Sequence, residues 1–228
     1  MTFHDEITLE GFVREMKAAS RATLLVRHGE RPKMDPDDPS FGDALALTPE
    51  GVRTATLLGA QLKEFADDVS FYASPLTRTR MTAACIAQGM GVPDAPIPTD
   101  GRLGNDSFYY ADASQVLEVF KPKNFFPACF EYYQTGRQKG FRDLYAATDA
   151  WEAWIDAEAK TRLFVVTTHD CYVAAFLAAR RGVTDWSCEN WVRFLDAAAI
   201  FTYPDGRRRY ALVRTGLSIG IVGVPVKK

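Results

Sequence analysis

The stretch LLVRHGERPKM, residues 24–34, runs from apolar strand-formers straight into ionisable side chains. Arg27 and His28 stand where the apolar run stops, and Glu30 and Arg31 follow at once. Imidazolium is electrostatically disfavoured between two guanidinium groups, so His28 is expected to stay neutral and keep a nitrogen lone pair. That suits a nucleophile meeting an anion better than a structural histidine. Two other places carry related chemistry. SPLTRTRMTA, residues 74–83, delivers Arg78 into the first turn of a helix, where the backbone already favours negative charge. TTHD, residues 167–170, ends another apolar run and sets His169 and Asp170 at a helix start.

Three arginines and two histidines in one crevice repel one another unless a dianion fills it. Phosphate has the charge, and the planar guanidinium fork matches its oxygens. The expected chemistry is phosphoryl transfer, with His28 as nucleophile. Arg27, Arg31, Arg78 and His169 would stabilise the equatorial oxygens. An alkoxide leaving group needs a proton, and Asp170 is the carboxyl group nearest in the pattern. If Asp170 is the acid it starts protonated, which predicts best turnover of alkyl phosphates at mildly acidic pH. The arginines do the electrostatic work of a metal, so no metal and no cofactor is expected.

RHGERP, SPLTRTRMTA and the later HD occur in this order within a span from about Arg21 to Arg214. Together they resemble the histidine phosphatase superfamily, with its phosphoglycerate-mutase-like fold. The resemblance implies that His28 is the phosphorylated nucleophile, that Arg27 and Arg78 bind phosphate, and that His169 is the second pocket histidine. The RHGxRxP form, Arg27 to Pro32, and the HD pair look like the acid-phosphatase branch. There the aspartate after the histidine, here Asp170, is the proton donor, and an additional arginine, here Arg31, grips phosphate. SPLTRTRMTA and the small size look more like the mutase branch, whose donor is a glutamate in the cap connection. DGRLGNDSFYY, residues 100–110, holds no glutamate, and Asp106 is its nearest carboxylate and the alternative donor. Glu30 is expected to orient arginines or line the pocket.

The elements that must position these residues follow from local pattern. Residues 22–26, 69–73 and 162–168 read as buried strands, and 95–103 as an edge-like strand with prolines. Thr48 and Pro49 open a helix with apolar residues at helical spacing, and Ser74 and Pro75 repeat that cap-then-proline entry. Gly89 or Gly91 should end the second helix, and Gly182 the one after His169. AAIFTYPDGRRRYALVRTG reads as a hairpin around Pro-Asp-Gly. From about 104 to 160 aromatic clusters sit among helix-compatible stretches, read as an inserted helical cap with a small core of its own. The fold class is α/β, a mostly parallel sheet covered by helices on both faces, in one domain over 1–228. In such sheets the ligand crevice lies beyond the carboxyl ends of the strands.

Composition sets limits on the rest. The 228 residues are 47% apolar and 25% charged, with a net charge of −2, which speaks against a nucleic-acid binder. GRRRY is then a charged hairpin tip. Cys85, Cys129, Cys171 and Cys188 show no metal-ligand spacing and suit reduced thiols, with Cys171 facing the core. No apolar run approaches a membrane span, and the amphipathic N-terminus, which holds His4, shows no signal peptide. A cytoplasmic enzyme acting on a small phosphorylated metabolite is expected, without nucleic-acid or membrane partners, and compatible with a homodimer. Two competing functions are a mutase, with Lys121, Lys123, Arg137 and Lys139 gripping substrate, and a catalytically silent phosphate-ligand module.

Overall fold

The computed structural model describes residues 6–34, 42–120 and 124–218. Six strands form one sheet: β1 (Glu6–Thr8), β2 (Arg21–Arg27), β3 (Val69–Ala73), β4 (Leu163–Thr168), β5 (Ala197–Thr202) and β6 (Arg208–Arg214). Their order is β1-β6-β5-β2-β4-β3. β5 runs antiparallel to both its neighbours, and the pairs β1/β6, β2/β4 and β3/β4 are parallel. The apolar runs of β2 and β4 are buried almost throughout, as strands covered on both faces require. Their side chains alternate between two cores. Leu24, Val26, Leu163 and Val165 enter one, and Leu25, Phe164 and Val166 the other.

The first core is covered by α1 (Leu9–Glu15), α2 (Pro49–Gln61) and α3 (Thr77–Met90). Thr48 caps α2 as read, its hydroxyl accepting the Gly51 N–H at 3.0 Å behind Pro49. Gly91 ends α3 with φ 89°, whereas Gly89 lies inside the helix. A Cβ on Gly89 would meet the Thr56 carbonyl oxygen at 2.0 Å, and one on Gly59 the Ile86 oxygen at 2.0 Å. The two glycines therefore let α2 and α3 touch backbone to backbone.

After the short α4 (Ala113–Val119), the second core is covered by α5 (Phe125–Thr135), α6 (Leu144–Glu158) and α7 (Asp170–Arg181). The aromatics of 104–160 do not form a core of their own. Trp151 and Trp154 of α6 meet Phe176 of α7 and Phe164 of β4, fusing the aromatic cluster with the sheet-facing core. Buried Glu152 adds an ionic tie from α6 to Arg180 and Arg208. Cys171 is buried in this same cluster, and no disulfide joins any of the four cysteines.

Three local expectations fail for identifiable reasons. No strand forms over 95–103. Pro96 and Pro98 lack N–H groups, so only Thr99 bridges to Ala73 before a 3₁₀ turn at Gly101–Leu103. Ser74 caps no helix: α3 starts at Thr77 behind Leu76, and the Ser74 hydroxyl is used elsewhere. β1 was not foreseen, since three residues are too few for a periodic signal and its register against β6 is a long-range matter. Among the described residues no helix is long and apolar enough to cross a membrane, and no group of three or more His, Cys, Asp or Glu is placed to hold a metal ion.

Candidate active site

The site grows out of three neighbouring parallel strand ends. Arg27 lies opposite Thr168 in the β2/β4 register, and the His28 N–H donates to the Thr168 carbonyl at 3.0 Å. His28 and His169 thus leave adjacent strands together, their ring centroids 5.5 Å apart at 65°. β3 lies on the far side of β4, where the Ser74 N–H meets the Thr167 carbonyl at 3.0 Å. The Ser74 hydroxyl sits 3.1 Å from His169 Nε2 and 2.8 Å from the Thr79 hydroxyl. Thr82 Oγ1 accepts the Gly29 N–H at 2.9 Å and donates to the Arg78 carbonyl at 2.7 Å. One hydroxyl therefore fixes the histidine loop to the helix that carries Arg78.

The tautomer of His28 follows from its neighbour. Nδ1 lies 2.8 Å from the Gly29 carbonyl oxygen, which only accepts, so Nδ1 carries the proton and Nε2 keeps its lone pair. Burial, followed by the charges of Arg78, Arg27 and His169, holds the His28 pKa well below the ordinary 6.5. Burial, Arg78, Arg27 and Arg31 do the same to His169.

This has a consequence for stability. Both folded-state pKa values are depressed, so below about pH 6.5 the unfolded chain takes up protons that the folded pocket refuses. Stability from these two groups is present above pH 6.5 and falls as pH drops towards 5, by up to about 1.4 kcal/mol per histidine per pH unit. Thermal melts should show a steeper fall below pH 6.5 for the wild type than for His28→Gln. Saturating inorganic phosphate should restore part of the wild-type loss. Equal slopes in the two proteins would contradict the buried neutral imidazole.

Each arginine is held at its tip. Arg27 is 1% exposed; it donates to the Val192 carbonyl at 2.6 Å, pairs with Asp170 Oδ2 at 3.1 Å, and lies 4.2 Å over the Phe194 ring. Arg78 donates to the Gly42 carbonyl at 2.6 Å. Its own burial and the charge of Arg31 push its pKa down to about 10, still cationic at neutral pH. Arg31 donates to the Pro32 carbonyl at 2.8 Å. The Nε–H groups of all three are buried and meet no hydrogen-bond acceptor among the described residues. Buried donors in native proteins are nearly always satisfied, so three orphans around the histidine pair describe the seat of an anion.

The carboxylates near the pocket are held by different partners. Asp170 is placed beside the pocket, but its oxygens are taken. Oδ1 accepts the Cys171 N–H at 2.9 Å, and Oδ2 accepts Trp191 Nε1–H at 2.9 Å besides Arg27. Three donors thus occupy its two oxygens. Glu30 orients no arginine among the described residues; its Oε1 accepts the Thr48 hydroxyl at 3.0 Å, bracing the start of α2. Asp106 is exposed and folded back on Gly101. Lys139 pairs with Glu118 at 2.9 Å, and Arg137 is exposed at the end of α5. His4, Lys121 and Lys123 lie outside the described residues.

A whole wall of the site went unread. Residues 191–196, in ENWVRFLD, supply the Val192 carbonyl, the Phe194 ring and the Trp191 indole that hold Arg27 and Asp170. Leu195 takes φ 65°, a conformation rare outside glycine, with its N–H on the Arg27 carbonyl at 3.2 Å. Buried Asp196 secures the turn, accepting from the Arg193 N–H, the Thr215 N–H and Arg214. Nothing in ENWVRFLD announces such a role. Ser74 and Thr82, by contrast, stand within SPLTRTRMTA, the stretch that carries the resemblance, although the sequence reading gives Ser74 only the role of a helix cap.

The family model of the histidine phosphatase superfamily (branch 1) matches residues 23–214. The chain belongs to this superfamily. Solved structures agree with that membership in fold. A phosphoglycerate mutase from Bacillus anthracis str. Sterne superposes with a TM-score of 0.58 at 16% identity, covering 88% of this chain and 95% of that one. A mycobacterial glucosyl-3-phosphoglycerate phosphatase gives 0.56 at 16%, covering 86% and 99%. YhfR from Bacillus stearothermophilus gives 0.56 at 18%, covering 87% and 100%. No curated protein sequence matches the chain. The mixed reading of the motifs resolves to branch 1.

Proposed function

We propose that the protein hydrolyses a small phosphomonoester through a covalent phosphohistidine at His28. The observation that carries this reading is the buried, neutral His28 with Nδ1 engaged by Gly29, sharing a pocket with His169 and three arginines whose Nε–H groups meet no acceptor among the described residues. The Nε2 lone pair attacks phosphorus, and the guanidinium groups take the charge of the equatorial oxygens as the bond to the leaving oxygen lengthens. Fixed donors need no reorganisation at that moment. His169, held by Ser74 and kept neutral by the same arginines, faces the group from the adjacent strand end. Water then attacks the phosphohistidine and the P–N bond electrons return to His28.

The test is to quench turnover of a labelled aryl phosphate in EDTA and locate the label. A base-stable, acid-labile phosphoryl group on His28 is expected, chased to inorganic phosphate by water alone. Label that waits for a hydroxyl acceptor would make the protein a phosphotransferase, and failure to label His28 would end the reading.

A further inference from the structure

Phosphoryl transfer to His28 leaves an alkoxide that needs a proton, and the carboxylates near the pocket are not equivalent. Asp170 is tied to Arg27, Trp191 and the Cys171 N–H. Glu30 is tied to Thr48, and Asp106 is turned back on Gly101. Asp43 differs from all three. Its backbone is pinned beside the phosphate arginine on both sides: the Thr77 N–H donates to the Asp43 carbonyl at 3.2 Å, and Arg78 Nη1 donates to the adjacent Gly42 carbonyl at 2.6 Å. Its carboxylate lies within the electrostatic reach of Arg78. There the described side-chain partner is one neutral amide, Asn105 Nδ2, at 3.1 and 3.2 Å from the two oxygens. Asp43 is only partly buried and Asn105 is exposed, so the pair is open to solvent beside Arg78.

We infer that Asp43 is the proton donor of the reaction proposed above, with Asn105 orienting its carboxyl group. The inference rests on the phosphohistidine reading. As the P–O bond breaks and the His28 Nε2–P bond forms, the Asp43 proton passes to the departing oxygen and the ester leaves as a neutral alcohol. Asp43, now a carboxylate, takes a proton from the water that attacks phosphorus. The P–N bond breaks, its electrons return to Nε2, and Asp43 is again a carboxylic acid.

The readout is kcat/KM, which covers steps through phosphorylation, for glycerol phosphate and 2,4-dinitrophenyl phosphate. Asp43→Asn should lower the alkyl value by about 10²–10³-fold and the dinitrophenyl value only a few-fold, because the dinitrophenolate leaves without a proton. Phosphoenzyme should accumulate from the dinitrophenyl ester, since the second step has lost its base. That accumulation also shows a folded, competent pocket. Equal losses on the two esters, no loss on the alkyl ester, or the selective loss appearing in Asp106→Asn or Asp170→Asn would overturn the assignment. A wild type that never labels His28 fails the underlying reading instead, and the assignment falls with it.

Discussion

His28→Ala is expected to lower kcat on phosphomonoesters by roughly 10⁴- to 10⁶-fold and to abolish phosphoenzyme, while inorganic phosphate still binds. The size follows from what remains. The arginines and the second histidine keep their places, because Arg27 is held by Val192 and Asp170 and Arg78 by the Gly42 carbonyl, none of which touches the imidazole. What disappears is the nucleophile of the proposed reaction, and losing a nucleophile costs on this scale even when binding survives. Phosphate affinity by calorimetry within about tenfold of wild type, together with absent turnover, is the expected pair of results. Retained turnover would mean that water attacks the ester directly in a pocket of arginines.

The second large effect belongs to Arg27. Its guanidinium makes three contacts at once, to the Val192 carbonyl, Asp170 and the Phe194 face, and its Nε–H meets no acceptor among the described residues. Arg27→Met removes a donor aimed at transition-state charge, a change that costs about 10²–10³-fold in rate. It also leaves Asp170, only 18% exposed in its side chain, without its cationic partner. Removing one member of a buried pair costs on the order of 3 kcal/mol, or roughly 6–12 °C in Tm for a chain of this size. Arg27→Lys should recover little activity, because a point charge cannot reach Val192 and Asp170 together or lie flat on Phe194. Saturating phosphate should widen the Tm gap between wild type and variant, since the variant binds it weakly. A variant within tenfold of wild-type kcat/KM would show that Arg27 serves the fold alone.

The two effects separate chemistry from construction. His28 is surrounded by charge that it does not itself hold in place, whereas Arg27 is a structural member of the wall it belongs to. Asp170 sits on that boundary. Its indole and guanidinium partners make it a brace for Arg27.

How much of this was readable in the chain depended on the range of the interaction. Apolar runs that stop at Arg27 and at His169, the Thr48–Pro49 helix entry and the glycines at 91 and 182 are local signals, and the strands and helices follow them closely. The cationic character of the strand ends was equally plain, because residue type alone declares it. The sequence by itself therefore determined the fold class, the strand–helix framework and the identity of the histidines and arginines that meet. Tertiary structure decided what each one touches. Arg27 reaches a carbonyl 165 residues away, Ser74 a histidine 95 residues away, and Asp43 an asparagine 62 residues away. Those partners are chosen by strand order and by the path of the 191–196 turn, neither of which leaves a trace in local periodicity. A side chain's protonation and role depend on such partners at about 3 Å, a distance that spacing along the chain does not encode.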